Sequence, residues 1–129
     1  VHPHLVLARR LWSAIADADV QILREVLAPK TVWRMYGRSP LAGTFEGPEA
    51  VIAFMARVGE LSDELEASLV DIFVSERGAV MRYRVAARRG SRRLDIEHLL
   101  LIEIEEGQIE QAVFAPLDQA RYDRFWTDA

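Results

Sequence analysis

Residues 94–105 read LDIEHLLLIEIE, and the alternation within them governs the reading of the whole chain. Leu94, Ile96, His98, Leu100, Ile102 and Ile104 recur at every second position, which places them on one face of an extended chain. The opposite face carries Asp95, Glu97, Glu103 and Glu105, interrupted by Leu99 and Leu101. Such alternation predicts a long strand with one buried face. His98 stands in the middle of that face, where an imidazole needs either a partner or a task.

The chain is β-prone on either side of this strand. Leu65–Glu76, Ala79–Arg88 and Ile109–Pro116 are further strand-like segments, joined by turns at Arg77-Gly78, Arg89–Arg92 and Glu106-Gly107. A tight turn at Arg77-Gly78 sets Glu76 opposite Ala79, Ile72 opposite Tyr83 and Asp71 opposite Arg84. The Arg89–Arg92 loop sets Arg88 opposite Arg93, Tyr83 opposite His98 and Arg84 opposite Glu97. One face then holds Val70, Ile72, Val74, Met81, Tyr83, Val85, Ile96, His98 and Leu100. The other aligns Asp71, Arg84 and Glu97 as alternating charges. A bulge near Gly107 decides whether Gln111 or Phe114 points inward, and both registers stay open.

Upstream the period changes to that of helices. Leu5, Ala8, Leu11, Trp12 and Ile15 form one apolar stripe. Asp19 is placed to cap a short second helix that Pro29 stops. Thr31–Tyr36 is a short β-prone run, Gly37–Pro40 turns the chain, and Gly43 and Gly47 bracket a loop. Pro48 opens a third helix with Val51, Phe54, Met55, Val58 and Leu61 on its apolar side. Asp118 caps a short C-terminal helix carrying Tyr122, Phe125 and Trp126. Three helices followed by an antiparallel meander is an α+β arrangement, read as a single domain over residues 1–129.

Composition narrows the function. The chain has no cysteine, which excludes disulfides, thiolate nucleophiles and cysteine metal sites. A net charge of −4 argues against nucleic acid as a partner. The cluster Arg88, Arg89, Arg92 and Arg93 surrounds Gly90 and reads as a solvated turn. No apolar run approaches the roughly 20 residues of a membrane span, and VHPHLVLARR lacks the pattern of a signal peptide. The expected setting is the cytoplasm, without membrane. His2 and His4 have a chelating spacing but no nearby carboxylate, so a frayed end is expected and no metal site. No Walker, Rossmann, H-E-x-x-H or G-x-S-x-G motif occurs.

The order of elements, and TVWRMYGRSPLAGTFEGPEAVIAFM (Thr31–Met55) in particular, resembles the nuclear transport factor 2-like group, also called SnoaL-like or ketosteroid-isomerase-like. The likeness lies in a W-x-x-x-G-x-x-P-x-A-G-x-x-G pattern followed by an apolar helix. IEEGQIEQ (Ile104–Gln111) and DQARYDRFW (Asp118–Trp126) resemble the group's strand turn and C-terminal segment. The resemblance implies a cone-shaped half-barrel, a curled antiparallel sheet wrapped on three N-terminal helices. It implies a small apolar carbonyl compound as ligand and, for an enzyme, cofactor-independent isomerase, cyclase or dehydratase chemistry. A non-catalytic ligand-binding or dimerisation module of the same fold is the other reading.

The isomerase pattern carries over poorly. Its catalytic carboxylate aligns with Arg34 and its helix-one tyrosine with Leu11. Its protonated aspartate aligns with Leu100 when counted from the Gly107 turn, or with Glu97 when anchored on Ile-Glu-His. On the turn-anchored alignment His98 follows on the same face.

The candidate catalytic set is therefore His98 as acid or base, Arg34 to hold an oxyanion and Tyr83 to donate to a carbonyl. Trp12, Trp33, Tyr36, Phe54, Met55 and Phe114 are the candidate ligand-binding residues. The simpler alternative makes His98 a hydrogen-bonded core residue and the aromatic stripes ordinary core. Leu69, Phe73, Leu99, Leu101 and, in one register, Phe114 make the outer sheet face too apolar for a solvated one, which predicts a homodimer through it.

Overall fold

A computed structural model describes residues 1–129. Two helices, α1 (Pro3–Asp17) and α2 (Val20–Val26), lead into β1 (Leu27–Met35) and a short β2 (Gly43–Glu46). Helix α3 (Pro48–Leu61) precedes a meander of β3 (Glu64–Val74), β4 (Gly78–Arg89), β5 (Arg92–Glu105) and β6 (Gln108–Pro116), and α4 (Gln119–Trp126) closes the chain. The six strands form one curled, unclosed sheet in the order β2-β1-β6-β5-β4-β3. Only β1 and β6 run parallel; the other neighbours are antiparallel.

Local chemistry accounts for the helix ends. The Asp19 carboxylate accepts from the Ile22 N–H at 3.1 Å and starts α2, and Asp118 does the same for α4 through Arg121. The N-terminus is docked rather than frayed. His2 caps α1 by accepting from the His4 N–H, and the His4 ring donates to the Ser75 carbonyl at 2.8 Å. The two histidines thus serve the fold. Helix α2 ends at Val26, and Pro29 falls inside β1, in the interval where its pairing with β6 shifts register. A missing N–H is tolerated there. Gly43–Glu46, expected to be loop, forms a four-residue edge strand on β1.

The β4–β5 register is the one expected, with Tyr83 opposite His98, Arg84 opposite Glu97 and Arg88 opposite Arg93. The β3–β4 register differs. Val74, not Glu76, faces Ala79, so Asp71 lies opposite Arg82 and Ile72 opposite Met81. The turn itself is the cause. The Ser75 hydroxyl accepts from the Arg77 and Gly78 N–H groups, and the Ser75 N–H donates to the Gly78 carbonyl, so the turn starts earlier. A shift by two keeps each side chain on its face, but a bulge at Val70 then reverses the pattern. Leu69 lies opposite Tyr83, which turns Leu65, Ala67 and Leu69 toward the concave side.

A second bulge settles β6. Glu106 and Gly107 form a two-residue turn, both with positive φ. Pairing resumes beyond Glu110 with Gln111 opposite Glu103 and Phe114 opposite Leu100. Phe114 points inward and Gln111 outward.

Gly78 has a packing role. A Cβ there would lie 1.8 Å from the Ile102 carbonyl oxygen on β5. Gly78→Ala should therefore lower stability by about 1–3 kcal/mol, the usual cost of forcing atoms into a packed site. A urea midpoint equal to wild type would show that β5 yields without cost.

The main core packs α1 and α2 on the sheet through Leu11, Val26, Leu27, Met81 and Ile109. A second cluster under α4 joins Leu41, Leu94, Ile96, Tyr122, Phe125 and Trp126. Arg89 secures α4 by donating to the Phe125 carbonyl at 2.6 Å, with its guanidinium 5.4 Å from the Trp126 ring. On the convex face the expected Asp71–Arg84–Glu97 row resolves into diagonal pairs, Arg82 with Glu97 and Arg84 with Asp95. Both are exposed, so Arg84→Ala should cost about 0–1 kcal/mol in chemical denaturation.

Candidate functional site

The curled sheet leaves a cavity of about 300 Å³ on its concave side. Helices α1 and α3 form one wall through Ile15, Ala16, Val51, Phe54, Met55 and Val58. The sheet contributes Trp33 and Met35 from β1, Tyr83 and Val85 from β4, Leu94, His98 and Leu100 from β5, and Phe114 from β6. Helix α4 adds Tyr122 and Trp126, and Leu65 and Ala67 come from β3. Ala16, Leu65 and Ala67 are exposed, which places the mouth between the end of α1 and β3. The lining contains no Asp, Glu, Lys or Arg.

His98 is the one residue of the lining that is neither aliphatic nor an ordinary aromatic hydrophobe, and it is 1% exposed. Strand alternation points it inward, and aromatic rings enclose it. Tyr83 stacks at 5.4 Å and Phe114 at 4.8 Å between centroids, and Tyr122 presents an edge at 5.7 Å. Its Nδ1 is buried without a hydrogen-bond partner. Burial among these rings, with no carboxylate to compensate, pushes the imidazole down to about 4. Burial raises both the Tyr83 and Tyr122 phenols above their ordinary range. Near neutral pH the site therefore offers an uncharged imidazole and two uncharged phenols. It can exchange hydrogen bonds with a ligand, but it holds no imidazolium to act as an acid.

Of the sequence candidates, His98 and Tyr83 are brought together, and Trp33, Phe54, Met55 and Phe114 line the same cavity. These side chains wall the cone without filling it. Trp12 lies behind Tyr83, at 5.1 Å between ring centroids, outside the lining. Arg34 is displaced to the convex face. Trp33 and Met35 point inward, so the residue between them must point outward, and its Nη1 donates to Gln111 Oε1 at 3.0 Å. The alignment that placed Arg34 in the cone was thus one residue out of phase. Tyr36 is 58% exposed beyond the end of β1 and takes no part in the lining.

The lining also includes residues not singled out from sequence as ligand contacts. Tyr122 and Trp126 are one helical turn apart on α4, a spacing that signals a shared face but not what it covers. Leu65 and Ala67 depend on the bulge at Val70, for which the residues carry no evident signal.

Residues 8–112 match the SnoaL-like domain family. The chain belongs to the SnoaL-like family. An uncharacterized protein of Mycobacterium tuberculosis is 29% identical over 124 residues, covering 95% of each chain. The structure of Bal32a, from a soil-derived mobile gene cassette, superposes with a TM-score of 0.90 at 28% identity over 96% of both chains. A putative SnoaL-like polyketide cyclase from Jannaschia sp. CCS1 shares the fold at a TM-score of 0.80 and 17% identity, covering 98% of this chain and 93% of that one. This SnoaL-like domain has no helix long and apolar enough to cross a membrane.

Proposed function

We propose that this SnoaL-like domain binds a small apolar carbonyl compound in its cone. The supporting observation is the concave cavity, which is apolar around its wall and has a single imidazole, His98, in its lining. A volume of about 300 Å³ lies at the lower end of ligand pockets, which suits a compound of one or two rings. The outward Arg34, which leaves the cavity without a cation to hold an oxyanion, and the absence of an imidazolium to act as acid favour binding over turnover of an isomerase, cyclase or dehydratase kind.

Trp33 and Trp126 line the cavity, so binding can be followed by intrinsic fluorescence. The bicyclic ketone 1-tetralone should quench emission and raise the melting temperature. Val85→Trp, which places an indole in the cavity, should weaken that response at least tenfold. Failure of wild type to respond at millimolar ketone would end this reading.

The convex face supports a second property, a homodimer. Phe73 and Leu101 are 52% and 41% exposed there, beside Val80 and Val113 around one shallow apolar depression. Leu69 and Phe114 leave the expected patch because both turn to the concave side. Sedimentation of the wild type as a monomer at micromolar concentration would refute it.

A further inference from the structure

Five unpartnered side-chain atoms are sealed from the cavity as well as from solvent: Thr31 Oγ1, Trp33 Nε1, Arg89 Nε, His98 Nδ1 and Trp126 Nε1. No ligand reaches them. The remaining polar atoms of the cavity wall differ. His98 Nε2 and the Tyr83 and Tyr122 hydroxyls make no hydrogen bond within the protein, yet none of them is sealed in this way. Tyr83 lies opposite His98 on β4 and shares its inward face. His98 is 1% and Tyr122 5% exposed, so the surface these polar tips keep belongs to the cavity that all three residues line.

The three also sit together. The His98 ring stacks on Tyr83 at 5.4 Å and meets Tyr122 at 5.7 Å between centroids. Burial raises the Tyr83 phenol and the neighbouring Tyr122 raises it further, so the two hydroxyls lie near one another. Across the cavity Trp33, Met35, Val51, Phe54 and Met55 present no side-chain oxygen or nitrogen that a ligand can reach. The cone therefore has a polar end at β4, β5 and α4 and an apolar end at β1 and α3.

We propose that Tyr83 and Tyr122 are specificity-determining residues whose hydroxyls hold the single carbonyl oxygen of an uncharged ligand, with its apolar body turned toward β1 and α3. This deepens the ligand-site reading above and rests on it. A carbonyl oxygen has two lone pairs and can accept from both phenols. Water pairs with the hydroxyls in the free protein, and a ligand that takes its place must supply the acceptor it removes. A hydrocarbon leaves both donors unpaired, and discrimination arises from that penalty. A carboxylate would lose its hydration in a wall that offers no counter-charge.

The test titrates naphthalene, 1-tetralone and 1-naphthoate by calorimetry into wild type, Tyr83→Phe, Tyr122→Phe and the double variant. Each substitution removes only a hydroxyl that has no partner in the fold, so urea midpoints should stay at the wild-type value. Each single variant should bind 1-tetralone about threefold to tenfold more weakly, the equivalent of one neutral hydrogen bond. Naphthalene affinity should hold or rise, because no donor is left unpaired beside it. In the double variant the preference for ketone over hydrocarbon should fall at least about tenfold. The carbonyl stretch of 1-tetralone bound to wild type should lie below its position in hexane and move back toward it in the double variant. Wild type should bind 1-naphthoate at least about tenfold more weakly than the ketone. A preference and a carbonyl stretch unchanged in the double variant would overturn the assignment and leave the ligand site standing. Equal affinity for 1-naphthoate and 1-tetralone would overturn selection of an uncharged ligand. A lowered urea midpoint in either single variant would show that its hydroxyl serves the fold, and would overturn its place here. Binding of none of the three probes would overturn the ligand site, and this inference with it.

Discussion

Acidification from pH 7 to pH 4 should cost this fold up to about 3 kcal/mol through His98 alone. The sign follows from proton counting. The folded imidazole titrates at about 4 and the unfolded one near 6.5, so between these values the unfolded chain binds the extra proton. The stabilisation is complete above pH 6.5, declines as pH falls, and is gone below about pH 4. Carboxylates add their own acid dependence: Asp95 and Glu49 are lowered by their arginine partners, but both are exposed. The informative quantity is therefore the difference between wild type and His98→Leu, each unfolded in urea across this range. At neutral pH the leucine variant should be as stable as wild type or more so, because no partner of Nδ1 is stranded. A core histidine held by a partner would instead lose about 1–3 kcal/mol on the same substitution. Parallel pH curves for the two proteins would show that His98 is not held neutral by its aromatic surroundings.

Leu101→Arg should convert a dimer to a monomer outright. Leu101 sits on the convex face beside Val80 and Val113, with Phe73 close by. In a two-fold contact each substitution appears twice, so two guanidinium groups would be buried without partners. The penalty for each is several kcal/mol, which exceeds the margin of most dimers of standard interface size. The flanking Arg82–Glu97 and Arg84–Asp95 pairs would set register more than affinity. Sedimentation velocity reads the result directly. An unchanged sedimentation coefficient for Leu101→Arg, with wild type dimeric, would move the interface elsewhere.

Most of the fold was legible because short-range rules dominate it. Period-two alternation in Leu94–Glu105, capping by Asp19 and Asp118, and the Glu106-Gly107 turn each depend on neighbours in sequence. The pairing of Tyr83 with His98 followed from a loop length and an alternating pattern, and the structure has it. The inward path of His98 and the shared cavity of Trp33, Phe54 and Met55 were therefore within reach of the sequence.

What tertiary structure alone decided is parity. The bulges at Val70 and Glu110 each reverse which side chains face the cone, and nothing local distinguishes a bulged strand from a regular one. Those two residues send Leu69 and Phe114 inward and Gln111 outward. Arg34 follows the same logic: its face is set by the parallel pairing of β1 with β6, between residues far apart in sequence. The electrostatics of the site also belong to the tertiary level. His98 is displaced to about 4 by aromatic rings from β4, β6 and α4 that meet only in the folded chain. Sequence alone determined that an imidazole lies on the buried face, and packing determined that it stays uncharged, because desolvation depends on which groups surround it in space.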